Sequence, residues 1–581
     1  MCGIFTLINS NNSGFSANFI QEQFEKGRGR GPEFSSISTV GANVVFGFHR
    51  LAINGLNPES NQPLVLSSDN GDIILICNGE IYNTDELYFL MSVTPKTGSD
   101  CEVILHLYEK YGIEQTLQML DGVFSFVLLD NRYGFNDGNK MYVARDPYGV
   151  RPLYHFMFNG SNNYTNHAFA SEAKVLSEFH RQVETDIKSL TQFPPGHYAK
   201  FTLPNMAISR WIMTDIEKYH STGFTSPIVM SIPRILDHEP CVSDVLEGIR
   251  FYLKSAVYKR CCTTERPIAC LLSGGLDSSL IAALVSQYHK NQGLPTLETY
   301  SIGLAGSEDL KYARLVADHL GTKHTEVILT ESDFIKAVPF VIRSIESYDT
   351  TTVRASIGNW LLGKYISEMS DAKVIFNGDG SDELCGGYLY MGACPDPIEY
   401  DRECRRLLSD IHAFDVLRSD KSISSHGLEP RTPFLDRTWV QHYLSIVPRL
   451  RFHPNMIGFD LLEGPQKKPE KYLLRMAFDD CDLLPREVLW RKKEAFSDGV
   501  TGQARSLYQI LQEHAEGLDI DSRKTYIHNP PQTAEQRWYR SIFEEAYPDL
   551  GTLVPYFWMP RYVDAKDASA RTLDIYQETN E

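Results

Sequence analysis

Long apolar runs are missing from this 581-residue chain. No stretch approaches the roughly 18 apolar residues of a membrane-spanning helix, and the start lacks a basic-then-apolar leader. Neither a membrane partner nor a secretory route is indicated. Basic charge is scarce as well: 56 Lys and Arg face 74 Asp and Glu, leaving a net charge of −18 at pH 7. That balance argues against a nucleic-acid or anionic-membrane binder. The 11 cysteines are odd in number, contain no C-x-x-C pair and are scattered apart from Cys261-Cys262. They indicate neither a zinc site nor a secreted disulfide framework. Internal repeats, low-complexity tracts and the G-x-x-x-x-G-K-[ST] phosphate loop are absent too. What is left is an acidic chain of a reducing compartment, expected in the cytoplasm and long enough for two large domains with separate cores.

The most informative stretch present is Ser273-Gly274-Gly275-Leu276-Asp277-Ser278-Ser279. It follows the apolar run Ile268 to Leu272 and precedes a helical pattern from Leu280 to Val285, so a buried strand feeds a glycine-rich turn that opens into a helix. Two glycines let backbone pass close to an anion, and the helix start offers unpaired N–H groups with the positive end of its dipole. A serine-rich turn before an ordinary helix is the plain alternative. The segment resembles the SGGxDS loop of the ATP pyrophosphatase (PP-loop) family, which cleaves ATP to AMP and pyrophosphate.

At the other end, Met1-Cys2-Gly3-Ile4-Phe5 places a cysteine where removal of Met1 would expose it as the first residue. Such a residue carries a nucleophile and a base together, a thiol of pKa ~8.5 beside an amine of ~7.7–8.0. Alone, Cys2 reads better as a small buried residue starting a strand. Phe46 to Ile53, Ile76 to Asn83 and Gly98 to Leu105 change that. Glutamine hydrolysis needs a cationic fork for the α-carboxylate, a carboxylate for the α-ammonium and donors for an oxyanion. Arg50, Asp100 with Glu80, and the Asn78 amide with the Gly79 N–H have those properties. Each also has a plain structural reading: a surface ion pair for Arg50, a helix N-cap for Asp100, a hairpin turn for Asn78-Gly79.

Cys2, Arg30-Gly31-Pro32, Arg50, Asn78-Gly79-Glu80 and Asp100 resemble a class II glutamine amidotransferase domain of the N-terminal-nucleophile fold. Joined to a PP-loop domain in this order and length, they resemble the glutamine-hydrolysing asparagine synthetase family. Further matches run over almost the whole chain, among them Leu120-Asp121-Gly122, Arg145-Asp146-Pro147, Tyr348-Asp349-Thr350, Gly380-Ser381-Asp382-Glu383, Pro433-Phe434-Leu435-Asp436 and Asp567-Ala568-Ser569. The resemblance implies an α+β N-terminal-nucleophile hydrolase layered sandwich over 2–211. An α/β PP-loop domain over 242–573 would follow, with a parallel sheet and a helical C-terminal part. A proline-rich connection over about 213–241 joins them, and the polar tail after about 574 is expected to be disordered.

The resemblance also implies roles. Cys2, Asn78, Gly79 and Asp379 would be catalytic; Arg50, Leu51, Ala52, Ile53, Asn54, Asn78, Gly79, Glu80 and Asp100 would bind glutamine. ATP would contact Leu271, Ser273, Gly274, Gly275, Asp277, Ser278, Ile302, Asn377, Gly378 and Lys493, with Mg2+ near Asp277 and Asp382. Ammonia freed in the first domain would travel an internal passage to a β-aspartyl-AMP in the second. The partners are then small molecules, and a homodimer is expected because relatives of this kind are often dimers.

Four departures from the family pattern stand out. Gly29-Arg30-Gly31-Pro32-Glu33 replaces His-Arg-Gly-Pro-Asp, Asp379 replaces a glutamate, Thr432 a valine, and Ala393 a lysine that no basic residue nearby in the sequence restores. They leave two other readings open, a β-lactam synthetase-like PP-loop enzyme and a nucleotide-binding regulatory protein that has lost turnover.

Overall fold

A computed structural model describes the chain except residues 133–137, 161–163, 205–209, 226–241, 453–468, 495–498, 502–504, 522, 566 and 574–581. The expected tail and most of the expected connection therefore lie outside the described residues.

The first half holds two antiparallel sheets of six strands. One is built from β1 (Gly3–Ile8), β2 (Phe34–Val40), β3 (Val44–Arg50), β8 (Tyr154–Asn159), β9 (Thr165–Ala170) and β10 (Lys188–Gln192), in the spatial order 10-8-9-1-3-2. The other contains β4 (Leu64–Ser68), β5 (Gly71–Ile81), β6 (Gly122–Asp130), β7 (Asn139–Arg145), β11 (His197–Leu203) and β12 (Ile212–Lys218), in the order 12-11-7-6-5-4. Inward side chains alternate along each strand, so Ile4, Phe46 and Phe48 of one sheet meet Ile76, Val127 and Val143 of the other in a shared apolar layer. The outer face of the first sheet buries Phe24 and Phe179 from helices Ala17–Glu25 and Ala173–Gln182; the second is covered by helix Val103–Met119. This is the expected layered sandwich.

Two local expectations change. β12 lies beyond the expected boundary at 211; its Ile-Met-Thr-Asp-Ile-Glu-Lys is mostly exposed at a sheet edge and so carries no apolar period. The Asp100 carboxylate is no helix cap either. Glu102 reaches back to the Lys96 and Thr97 N–H groups at 2.8 and 2.6 Å, whereas Asp100 accepts from Ile81 N at 2.7 Å.

The second half is built on a parallel sheet of five strands. These are β13 (Ile268–Leu271), β14 (Glu298–Leu304), β15 (Lys323–Leu329), β16 (Val374–Phe376) and β17 (Glu429–Arg431), in the order 15-14-13-16-17. Its crossovers are helices, among them Leu276–Gln292 and Glu308–Leu320, each ended by a glycine with positive φ, Gly293 and Gly321. From Pro397 onward helices predominate. The order reverses beside β13, so the crevice at the C-terminal ends of β13 and β16 is where an open parallel sheet binds ligands.

Candidate functional site

Two separate sites emerge, one in each half. In the first, Cys2 leads into β1, its thiol donating to the Leu51 carbonyl at 3.6 Å and its own carbonyl accepting from Arg30 Nε at 3.0 Å. Burial pushes the Cys2 thiol above its ordinary value, with the neighbouring ammonium opposing the rise. Met1 is buried too; its ammonium donates to the Leu428 carbonyl at 3.3 Å, and desolvation pulls that amine down to about 5.

Asn78 lies fully buried within β5, opposite Ser125 of β6, and neither its Oδ1 nor its Nδ2 has a hydrogen-bond partner among the described residues. A buried amide left this way costs about 1–3 kcal/mol, so the arrangement favours a bound group that completes it. Gly79 follows where only glycine fits: a Cβ there would lie 2.6 Å from the Val123 carbonyl oxygen. Asn54 Nδ2 donates to Glu80 Oε2 at 2.8 Å, and the Asp100 carboxyl is pushed up to about 6 by burial. Burial and the nearby Asp100 charge raise the Glu80 carboxyl well above its usual range. Arg50 donates to the Asn57 carbonyl at 3.0 Å, to Asn61 Oδ1 at 2.7 Å and to the Gly55 carbonyl, while its charge acts on the Cys2 thiol. The loop Leu51 to Asn54 thus joins Cys2 at one end and Glu80 at the other. Arg30 bridges the two halves: while its Nε holds the Cys2 carbonyl, its Nη1 is buried against Asp420 of the second half at 2.7 Å.

In the second half the cleft at the ends of β13 and β16 is lined by Leu271, Ser273, Gly275, Asp277, Ser278, Ile302, Asn377, Gly378, Asp379, Asp382 and Lys493. Gly274 is not a lining residue. Its φ is +72°, and a Cβ would lie 2.5 Å from Ala313 N, so it shapes the turn instead. No side chain caps the start of helix Leu276–Gln292, and Ser273 and Ser278 share a 2.9 Å hydroxyl contact across the loop. That leaves an open helix N-terminus, the local requirement for phosphate. Gly378 packs on this loop so closely that a Cβ would come within 2.8 Å of Ser278 N.

Lys471 and Arg418 are the residues sequence reasoning missed. Lys471 Nζ sits 2.6 Å from Asp277 and 2.5 Å from Asp382, and Lys493 pairs with Asp382 at 2.6 Å. Burial pulls the Lys471 ammonium down, but the two carboxylates outweigh it and hold the group firmly protonated. Burial raises the Asp382 carboxyl, yet Lys471 and Lys493 more than offset that and lower it. Arg418 donates to Asp379 at 3.3 Å, while burial pushes the Asp379 carboxyl up. No basic residue stands near Ala393 in the sequence, and Ala393 is not among the described residues lining the cleft; Lys471, Lys493 and Arg418 bring cations to it from remote segments.

Asp277 and Asp382 converge on one cation, which fits a metal held by two carboxylates. Among the described residues no cluster of three metal-ligating side chains exists, so phosphate oxygens and water would have to complete an octahedral magnesium shell.

A family model described as asparagine synthase matches residues 248–396 and 394–561, and one described as glutamine amidotransferase domain matches residues 1–212. The chain is 40% identical to an asparagine synthetase [glutamine-hydrolyzing] of Gallus gallus over 598 residues, covering 99% of each chain. It is equally 40% identical to that of Homo sapiens over 588 residues, again covering 99% of each. A solved glutamine phosphoribosylpyrophosphate amidotransferase from B. subtilis overlaps 50% of this chain and 64% of its own, at 20% identity and a TM-score of 0.30. No helix among the described residues is long and apolar enough to cross a membrane.

Proposed function

This chain belongs to the glutamine-hydrolysing asparagine synthetase family, and from that premise we propose that its two sites work in series to make L-asparagine from L-aspartate, L-glutamine and ATP. With Met1 removed, the Cys2 amine accepts the thiol proton and the thiolate attacks the glutamine carboxamide. The Asn78 amide and the Gly79 N–H receive the developing oxyanion, Asp100 and Glu80 hold the substrate ammonium, and Arg50 holds its carboxylate. Ammonia leaves, and water resolves the thioester to glutamate.

In the second site, the open helix end with Ser273, Gly275 and Ser278 binds the ATP phosphates, and Leu271, Ile302, Asn377 and Gly378 bind the adenosine. The aspartate β-carboxylate attacks the α-phosphorus; a β-aspartyl-AMP forms and pyrophosphate departs. Lys471 and Lys493 offset the charge gathering on that leaving group, and Asp379, steadied by Arg418, faces the reacting centre. Magnesium, held by Asp277 and Asp382, would neutralise pyrophosphate charge further. Ammonia then displaces AMP to give asparagine.

The coexistence in one chain of a buried Asn78 amide with no partner among the described residues and an uncapped helix start whose cleft holds Lys471 and Lys493 carries this reading. A β-lactam synthetase-like enzyme would have no use for the first site. The regulatory reading rests on Ala393 and Asp379; in the proposed site Lys471 brings a cation to the cleft that Ala393 lacks, and Arg418 holds Asp379. The proposal extends to a cytoplasmic homodimer, which light scattering and cell fractionation check.

The central test is Cys2→Ala. It should abolish glutamine-dependent asparagine formation and leave formation from ammonium chloride within about twofold, because the adenylating groups lie in the other domain. Equal loss of both activities in a folded variant would defeat the division of labour.

A further inference from the structure

The glutamine loop is not held by its own domain alone. Residues 264–267 connect the helix Val242–Cys262 to β13 in the second half, and they lie against the loop from Leu51 to Gly55. Glu265 N donates to the Ile53 carbonyl at 3.0 Å, and Glu265 Oε1 accepts from Gly55 N at 2.5 Å. Arg266 Nε donates to the Ala52 carbonyl at 2.8 Å. The same guanidinium reaches Glu33 Oε1 at 2.8 Å, while Glu33 Oε2 accepts from Ala52 N at 2.7 Å. One guanidinium and one carboxylate therefore grip the Ala52 carbonyl and N–H, and Glu265 fixes Ile53 and Gly55.

This segment of the glutamine loop lies outside the strands, so these contacts take the place of a sheet ladder for its backbone. Its other anchors are Arg50, through the Gly55 and Asn54 carbonyls, Cys2, through the Leu51 carbonyl, and Glu80, through the Asn54 amide. The gripping segment is itself rigid. Thr264 Oγ1 accepts from Arg266 N at 2.9 Å, and the Pro267 carbonyl accepts from Lys373 and Val374 at the start of β16. Glu33 is also one of the positions where the chain departs from its family's aspartate. The extra methylene carries its carboxylate toward Arg266 while keeping the Ala52 contact.

We infer that Glu265 and Arg266, residues of the synthetase half, are positioning residues for the glutaminase site. They fix the loop that carries Leu51 to Asn54, so that glutamine is held at the distance and angle Cys2 requires. The inference rests on the proposed glutamine site. Neither residue touches the adenylating cleft, which makes the two activities separable.

The experiment measures glutamate release against glutamine concentration, and asparagine formation from ammonium chloride, in the full-length enzyme. Losing a charge-assisted contact at a partly exposed pair predicts that Arg266→Ala raises KM for glutamine about 5- to 20-fold. The kcat should change less, and ammonia-dependent turnover should stay within about twofold. Arg266→Lys should fall between, because an ammonium keeps the charge but cannot serve Ala52 and Glu33 together. Glu33→Gln approaches the same grip from the other side; adding it to Arg266→Ala should change KM less than twofold further.

A KM within twofold of wild type in Arg266→Ala, a parallel loss of ammonia-dependent turnover, or full additivity with Glu33→Gln would each overturn the inference. Cys2→Ala is the control for the underlying reading. If that variant still releases glutamate, the glutamine site itself is misassigned and the inference goes with it. If it does not, an unresponsive Arg266→Ala removes the inference alone.

Discussion

Lys471 carries a buried charge at a backbone angle that side chains rarely adopt, φ +57°, and two carboxylates fix it there. Replacing it with methionine leaves Asp277 and Asp382 facing each other with less compensation, and takes a cation from the path of the departing pyrophosphate. Lys471→Met should therefore lower asparagine formation from either nitrogen source by about 100-fold or more, while glutamate release persists. Ala393→Lys should leave turnover within about twofold, since the charge it would add is already supplied from Lys471. A large gain in that variant, measured as asparagine formed per second, would mean the cleft does lack a cation. Asp100 offers a test by pH. Its carboxyl sits near 6 because burial disfavours the charged form, and in the proposed site only that charged form would attract the glutamine ammonium. As pH falls through about 6, kcat/KM for glutamine should fall with it while ammonia-dependent synthesis holds; the bound ammonium pulls the carboxyl lower, so kcat should hold to lower pH. A profile flat down to pH 5 would remove Asp100 from the site.

Elements whose signals are local were the legible ones. The run Ile268 to Val285 reads as strand, turn and helix because an apolar run, glycines and a helical period follow one another within 18 residues, and the structure places β13, Gly274 and helix Leu276–Gln292 there. The paired segments around Arg50, Asn78 and Asp100 were legible only together, through the family resemblance; no single spacing specified them. What failed to show was tertiary. β12 is polar and exposed and becomes a strand by pairing with β11. Glu102 ties down the segment before its helix by accepting from Lys96 and Thr97, and no side chain caps the helix start, a geometry that an Asp100 in the favoured N-cap position conceals. Lys471 and Arg418 approach Asp382 and Asp379 from 89 and 39 positions away in the chain. Charge partners at such separations leave no period in a sequence, so the cleft looked poorer in cations than it is.

At the scale of the molecule, the two halves are joined through buried charge. Arg30 and Arg151 of the first half and Arg431 of the second have fully buried side chains. Asp420 stands 2.7 Å from Arg30 and 3.6 Å from Arg151; Glu429 is 3.7 Å from Arg151 and 2.8 Å from Arg431; Arg431 in turn lies 3.3 Å from Glu80 of the proposed glutamine site. Around this chain of charges the apolar cores run continuously across the boundary, with Leu51 and Tyr148 clustered beside Leu253 and Phe434. Such an interface resists partial opening, since separating the halves would strand several desolvated ions at once. A single cooperative unfolding transition is expected, despite the two-part chemistry. The sharpest probe is Asp420→Ala, which strips Arg30 and Arg151 of a shared counter-ion without creating a large void. Breaking one partner of a buried pair costs about 3–5 kcal/mol, and Asp420→Asn, which keeps an acceptor for Arg30, should cost less. Arg30 also holds the Cys2 carbonyl, so the loss should appear first in glutamine use and only at higher denaturant in ammonia-dependent synthesis. Unfolding followed by fluorescence beside both activities reads this directly: a stability within about 1 kcal/mol of wild type in Asp420→Ala would show that the charge chain is not what unites the halves.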